Sequence, residues 1–307
     1  MSFREETSLF RRAREAALAY RLPAGVDDLF WAPAIRGGIV TGSLSIRFNV
    51  KQKKPASQLR HDELIPRRLG GFPTDVTAFR FSPQVRNELP YDLVRPLMGG
   101  VQVQASHADG PADWGTMGIV LQFNSSFYAI SNQHVFDRPA WEYGEPFSEG
   151  NIIQPKRQAG GGAIAVLSSL GDNRLDYRLA RMTMAHDLRQ SVNGLPGTVD
   201  GYVMPSGIGE RKLVKSGASS GVTTGWYEGR SLLEPHRVSI RSVDGSVICK
   251  PGDSGSMWLD AGSGLKLFAL HCAGDDEGRV AIATLYGSIH ASVWQQLKKG
   301  KEQQPTI

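Results

Sequence analysis

From about residue 99 to residue 287 the chain is a succession of short apolar runs, each cut off by glycine or a polar turn. The first set reads VQVQASH, GTMGIVLQF, FYAISNQHV, NIIQP, GGAIAVLSS and LDYRLARMT. After the turn-rich SVNGLPGT come DGYVMP, RKLVKSG, GVTTGWY, HRVSIRSV, SMWLD, LKLFALHC and VAIATLYG. Short strands at regular spacing imply sandwiches or barrels. The 35 glycines and 17 prolines among 307 residues suit the turns that so many strands require.

The flanks differ. MSFREETSLFRRAREAALAYRL reads as an amphipathic helix packing Phe10, Ala13, Ala17 and Leu18. Arg4, Glu5, Glu6, Arg11, Arg12, Arg14 and Glu15 interrupt its apolar residues, so it has no continuous core of a secretory signal. With no run near the roughly 18 apolar residues of a membrane span, a cytoplasmic protein without membrane contact is expected. A strand over 37–50, a short helix in ASQLRHDEL and a strand over 74–81 suggest a small α/β module. SIHASVWQQLKKGKE reads as a terminal helix with apolar Val293, Trp294 and Leu297. The expected units are therefore residues 1–97, 98–190 and 191–307.

A net charge of +5 is mild, and no nucleic-acid motif accompanies the basic cluster Lys51, Lys53, Lys54, Arg60, Arg67 and Arg68. A solvated face is the expectation, with no nucleic-acid partner. Two cysteines, Cys249 and Cys272, are too few for a disulfide scaffold, and their spacing matches no zinc site. Two reduced thiols and no metal are expected.

CKPGDSGSMWLD, residues 249–260, raises the chemical question. Gly-Asp-Ser-Gly alone is ordinary turn chemistry. A serine hydroxyl becomes a nucleophile only with a base in reach and a third group orienting that base. Of seven histidines, His134 stands out because it ends a buried-looking strand in FYAISNQHVF. Asp176 in NRLDYRLARM is a candidate orienting acid. Each alone also fits a structural role: a hydrogen-bonded histidine at a strand end, and an aspartate accepting backbone N–H groups.

Taken together, ISNQHV, DYRLA and GDSGS come in the order His, Asp, Ser, with gaps of 42 and 78 positions. In order and spacing they resemble the motifs of chymotrypsin-like serine peptidases over roughly residues 98–298. ELIPRRLGGFPTDV, GTMGIV, NIIQP, VKSGASSGVTTG and LHCAGDDEG further resemble an intracellular bacterial branch related to the plant narrow-leaf proteases. The chain departs from that branch at AGGG after the third stretch and at Ala218 and Ser219 in the fourth.

The resemblance implies two six-stranded antiparallel β-barrels, His134 and Asp176 in the first and Ser254 in the second. It implies a serine endopeptidase with catalytic His134, Asp176 and Ser254, an oxyanion hole of Gly252 and Ser254 N–H groups, and no cofactor. The S1 pocket would involve Ile248, Cys249, His271 and Cys272. Ile248 stands where trypsin-like enzymes hold an aspartate, so cleavage after basic residues is not expected. FALHCAG resembles the histidine-bearing wall of glutamyl endopeptidases, which points to Glu, Asp or Gln at P1; the alternative is a packed core histidine beside a small apolar pocket. RGGIVTG at 36–42 looks like a trypsinogen-type activation site, but His134 lies 95 positions beyond Ile39, about twice the distance in such enzymes. The partner is a protein or peptide substrate, with the N-terminal module available for self-association or a regulatory partner. Two other readings stand beside it: a gated protease, for example in bacterial defence, and an inactive protease-fold scaffold.

Overall fold

The computed structural model describes residues 3–36, 39–83, 93–105, 114–123, 125–136, 150–155, 159–183, 188–262 and 264–302. His107 and His186 lie outside them.

The N-terminal region holds helix α1 (Phe3–Ala19) and strands β1 (Val26–Arg36), β2 (Ile39–Val50), β3 (Arg68–Leu69), β4 (Phe72–Thr77) and β5 (Phe81–Pro83). The middle holds β6 (Leu97–Gly99), β7 (Gln102–Ala105), β8 (Gly115–Thr116), β9 (Ile119–Phe123), β10 (Ser126–Ser131), the single turn α2 (Gln133–Phe136), β11 (Asn151–Gln154), β12 (Gly162–Asp172), β13 (Tyr177–Met182) and β14 (Leu188–Val192). The last third holds β15 (Val199–Tyr202), β16 (Lys212–Gly217), β17 (Gly221–Ser231), β18 (Arg237–Ser242), β19 (Met257–Asp260), β20 (Leu265–Asp275), β21 (Val280–Leu285) and helix α3 (Tyr286–Glu302).

Strands β16, β19, β20, β21, β18 and β17 pair in that order, and the β16–β17 hairpin closes the ring. Closure leaves these six strands little free edge and lets alternate residues fill the interior. Leu213, Tyr227, Val238, Ile240, Trp258 and Phe268 do so, all without solvent exposure. The middle strands form a seven-stranded sheet, β8-β7-β11-β12-β13-β10-β9, whose ends do not pair with each other among the described residues. The first unit is thus a half-barrel, where the sequence led us to expect a second closed barrel. Between the two lies a shared core in which Ile119, Ile130, Tyr177 and Leu179 meet Met257, Leu259 and Leu270, sealed by Ile289 and Val293 of α3. Trp294 of α3 is 39% exposed. The architecture, a closed barrel and a half-barrel with a helix at each end of the chain, is chymotrypsin-like.

The N-terminal strands extend the closed barrel's sheet. β1 pairs with β17 at Phe30↔Ser231 and Trp31↔Arg230, β2 pairs with β1, and β4 runs parallel to β2. Leu29, Trp31, Ile46 and Phe48 pack beneath α1 against Ala13 and Ala17, whereas Leu18 of the predicted helix face is 55% exposed. An ion-pair triad crosses the junction: Glu228 of β17 takes both Arg47 of β2, at 2.8 Å, and Arg241 of β18. Burial pushes the Glu228 carboxyl up, but the two guanidinium groups outweigh it and hold it below the usual range.

Three local expectations change. The strand over 74–81 divides, with β4 ending at Thr77 and β5 beginning at Phe81 on a different partner. ASQLRHDEL forms two short 3-10 turns, Ala56–Gln58 and His61–Glu63. β1 was not expected, because Asp27, Asp28 and Pro33 break its alternation; register shifts at Val26/Asp28 and Pro33/Ile35 absorb them. Within RGGIVTG, Ile39 begins β2 and pairs with Arg36.

Candidate active site

His134 stands in α2, directly after β10. Asn132 accepts the N–H groups of Val135 and Phe136 and so starts the turn, while those two side chains anchor it in the half-barrel core. Asp176 ends the loop joining β12 to β13, whose closing pair is Asp172↔Tyr177. Asp172 Oδ1 accepts the N–H groups of Arg174 (2.9 Å) and Leu175 (3.2 Å), which fixes the loop. Asp176 itself has φ +48°, the one non-glycine in the left-handed region among the described residues. Such a conformation persists only where its surroundings hold it, and it is commonest at functional sites.

The loop brings the two side chains together across 42 positions. Asp176 Oδ2 lies 2.8 Å from His134 Nδ1, and Oδ1 accepts the His134 backbone N–H at 3.2 Å. Both ends of the carboxylate are engaged, so the ring's orientation is set. His134 Nε2 is buried and has no hydrogen-bond partner among the described residues.

Ser254 approaches from the closed barrel. In Lys250–Pro251–Gly252–Asp253, the Asp253 N–H donates to the Lys250 carbonyl at 3.0 Å. With proline at the second position and Gly252 at φ +98°, this is a type II turn. A Cβ on Gly252 would lie 2.3 Å from Ser219 Oγ and 2.6 Å from the Trp114 ring. The Ser219 hydroxyl donates to the Pro251 carbonyl, and the Ser256 N–H donates to the Asp253 carbonyl. C=O and N–H of a trans peptide point opposite ways. The Gly252 and Ser254 N–H groups therefore point away from Ser219 and Ser256 respectively.

Beneath the turn, Asp253 and Lys215 form an ion pair of 2.9 Å with neither side chain exposed. Asp253 also accepts the N–H groups of Ser219, Ser220 and Lys250 at 2.9–3.1 Å. Burial pushes this carboxyl up, yet the Lys215 ammonium holds it below the ordinary range. From the half-barrel, Thr116 completes the clamp: its N–H donates to the Ser254 carbonyl at 2.7 Å and its hydroxyl to the Gly252 carbonyl at 2.8 Å. Asn132 ties the other side, donating to the Asp176 carbonyl at 2.9 Å and to Cys272 Sγ at 3.4 Å. Lys215, Thr116 and Asn132 were not singled out from sequence, since their partners are 38, 136 and 44 positions away.

The Ser254 side chain is fully buried, and its hydroxyl donates to the Cys272 carbonyl at 3.2 Å rather than to His134. The proposed pocket residues separate. Ile248, Cys249 and His271 are fully enclosed, whereas Cys272 borders an open cleft of about 460 Å³ with His134 and Asp176. Asp28, Phe30, Asn49, Phe79 and Phe81 of the N-terminal region line the same cleft. His271 faces Trp258, and neither of its ring nitrogens has a partner among the described residues. Burial, with the Lys215 cation adding, pushes its pKa down to about 3, so it is neutral at physiological pH. Both cysteines are free thiols, pushed up to about 12 by burial. Among the described residues no three His, Cys, Asp or Glu side chains converge on a metal position, and no helix is long and apolar enough to cross a membrane.

No protein-family profile and no curated protein matches this sequence. Solved structures similar to it include proteases. A glutamic-acid-specific serine protease, described as using a histidine triad in substrate binding, superposes with TM-score 0.47 at 14% identity, over 64% of this chain and 97% of its own. The Nocardiopsis protease gives 0.45 at 15%, over 64% and 95%. Thermobifida fusca protease A gives 0.42 at 14%, over 63% and 94%.

Proposed function

We propose that this chain is a serine endopeptidase working through Ser254, His134 and Asp176. The observation that carries it is the 2.8 Å pair between Asp176 Oδ2 and His134 Nδ1, with Nε2 unpartnered among the described residues and Ser254 bonded to Cys272, which lines one cleft with both. The carboxylate holds the proton on Nδ1, so Nε2 is the basic nitrogen. The Ser254 hydroxyl leaves the Cys272 carbonyl, gives its proton to Nε2, and its Oγ attacks the scissile carbonyl carbon. The oxyanion is received by the Gly252 and Ser254 N–H groups, each such donor contributing about 3 kcal/mol in the transition state. His134 returns the proton to the leaving amine, and water then releases the acyl group by the same route.

Bond-forming atoms are thus assigned; P1 preference rests on His271. A neutral, enclosed imidazole with both nitrogens unsatisfied is costly unless a ligand supplies the missing partner. Once the wall that encloses His271 opens, a P1 Glu, Asp or Gln side chain meets that need. Peptides with those residues at P1 should be cut faster than those with Ala, Leu or Phe.

The test is intact-mass detection of a fluorophosphonate adduct after prolonged incubation. One adduct is expected, mapped to Ser254 and absent from Ser254→Ala and His134→Ala. Equal labelling of Ser254→Ala, or none of the folded wild type, would overturn the reading. The full burial of Ser254 and its bond to Cys272 favour the gated form of this enzyme over a constitutively open one.

A further inference from the structure

One edge of β20 is shared by two unrelated segments. Up to Leu270 it pairs with β19, and the nucleophile loop continues along it: the His271 N–H donates to the Ser256 carbonyl at 2.8 Å and the Gly255 N–H to the His271 carbonyl at 2.9 Å. Ser254 Oγ then meets the Cys272 carbonyl. The next three residues on β20 are taken by β5, at Ala273↔Pro83, Gly274↔Ser82 and Asp275↔Phe81. β5 is antiparallel to β20, so from Phe81 to Pro83 it runs toward Cys272 and the nucleophile.

Pro83 has no N–H to donate, and antiparallel pairs alternate between bonded and non-bonded. Ser82–Gly274 is therefore the hydrogen-bonded pair of this short ladder. The other side of Ala273 and Gly274 is occupied by Ile282 and Ala281 of β21, so the β5 side is the remaining edge there. Upstream anchors hold the segment. Asn49 Oδ1 accepts the Phe79 N–H at 2.9 Å and its Nδ2 donates to the Phe79 carbonyl at 3.1 Å. Phe81 packs with Phe30, Ile282 and Ala273, and the Arg241 guanidinium sits 5.2 Å over the Phe79 ring.

We propose that Phe81–Pro83 is a tethered pseudosubstrate: it occupies, in extended form, the sheet edge beside Ser254 that another polypeptide must pair with to be cut. This rests on the endopeptidase reading above. A sheet edge satisfies one strand at a time, so cleavage of any other chain requires β5 to leave, and the enzyme is latent until it does.

The experiment uses full-length protein carrying Ser254→Ala, so that nothing is turned over, and a fluorescent peptide of residues 77–83, Thr-Ala-Phe-Arg-Phe-Ser-Pro. Ser82→Pro removes the ladder's donor, and Asn49→Ala loosens the anchor without touching the edge. Apparent affinity falls by the fraction of molecules with the edge free, so releasing β5 should tighten peptide binding by about tenfold or more. Asn49→Ala should act in the same direction by less, and it keeps the test alive if Ser82→Pro does not fold. Unchanged affinity in the folded variants would overturn the proposal. With Ser254 restored, Ser82→Pro should label with fluorophosphonate faster than wild type by a similar factor. Tighter peptide binding without any labelling would overturn the endopeptidase reading and leave the occupied edge standing.

Discussion

The two halves of the candidate site are held in opposite ways. On the half-barrel, His134 and Asp176 are 21% and 26% exposed and meet through one side-chain contact between two loops. On the closed barrel, Gly252, Asp253, Ser254 and Gly255 are all buried, and a Cβ on Gly255 would lie 2.1 Å from Ser131 Oγ. His134 is oriented by a single partner, whereas the backbone carrying Ser254 is over-determined. A preorganised donor pair needs a rigid main chain, while a base that moves a proton twice needs only its tautomer and direction fixed. Losses on the half-barrel should therefore appear in rate, and losses beneath the nucleophile in stability first.

The largest effect tests the half-barrel side. Asp176→Asn should lower kcat by about four orders of magnitude by permitting the wrong tautomer, with Tm shifted little; a large fall in Tm would erase the contrast. Next, Lys215→Met leaves Asp253 charged and unpaired in the interior, which should cost about 3–5 kcal/mol in chemical denaturation. Stability unchanged by that substitution would mean that the pair is not what supports the turn. Thr116→Val removes a hydroxyl spanning the two units and should cost about 1 kcal/mol, with kcat falling more than KM rises.

Two further effects are in pH dependence. Burial raises the Asp28 carboxyl in the cleft to about 6 from 3.8. The unfolded chain releases this proton at lower pH than the folded one, so this group's contribution is lost as pH rises from about 4 to 6. Asp28→Asn should gain Tm over wild type at pH 7.5 and little at pH 4. His271 has the opposite sign: its folded pKa near 3 means that stability is lost as pH falls below about 6.5. His271→Leu should flatten that acid limb in thermal melts at pH 4–7.

What could be read from the chain was local. GDSGS, ISNQHV and DYRLA are contiguous motifs, and each strand run marks itself by its own alternation and bounding glycines, so the β architecture and the three chemical candidates were legible. Gly252 lies in the first of these motifs and entered with it, through the resemblance. The activation-site resemblance at RGGIVTG could be dismissed on spacing alone. Beyond that range, strand pairing carries no local mark. β1 was obscured by Asp27, Asp28 and Pro33, and nothing in FSP says that it pairs with residues nearly two hundred positions later.

The sequence by itself determined which residues are candidates for nucleophile, base and orienting acid, because hydroxyl, imidazole and carboxylate chemistry belongs to the residue type. It also determined where the backbone can turn, because proline and glycine restrict φ wherever they stand. Only the tertiary structure decided that Lys215 neutralises Asp253, that Thr116 bridges the two units, and that the N-terminal region supplies a strand to β20 next to Cys272. Those outcomes depend on which buried charges and open sheet edges find partners, and that is settled when the whole chain packs.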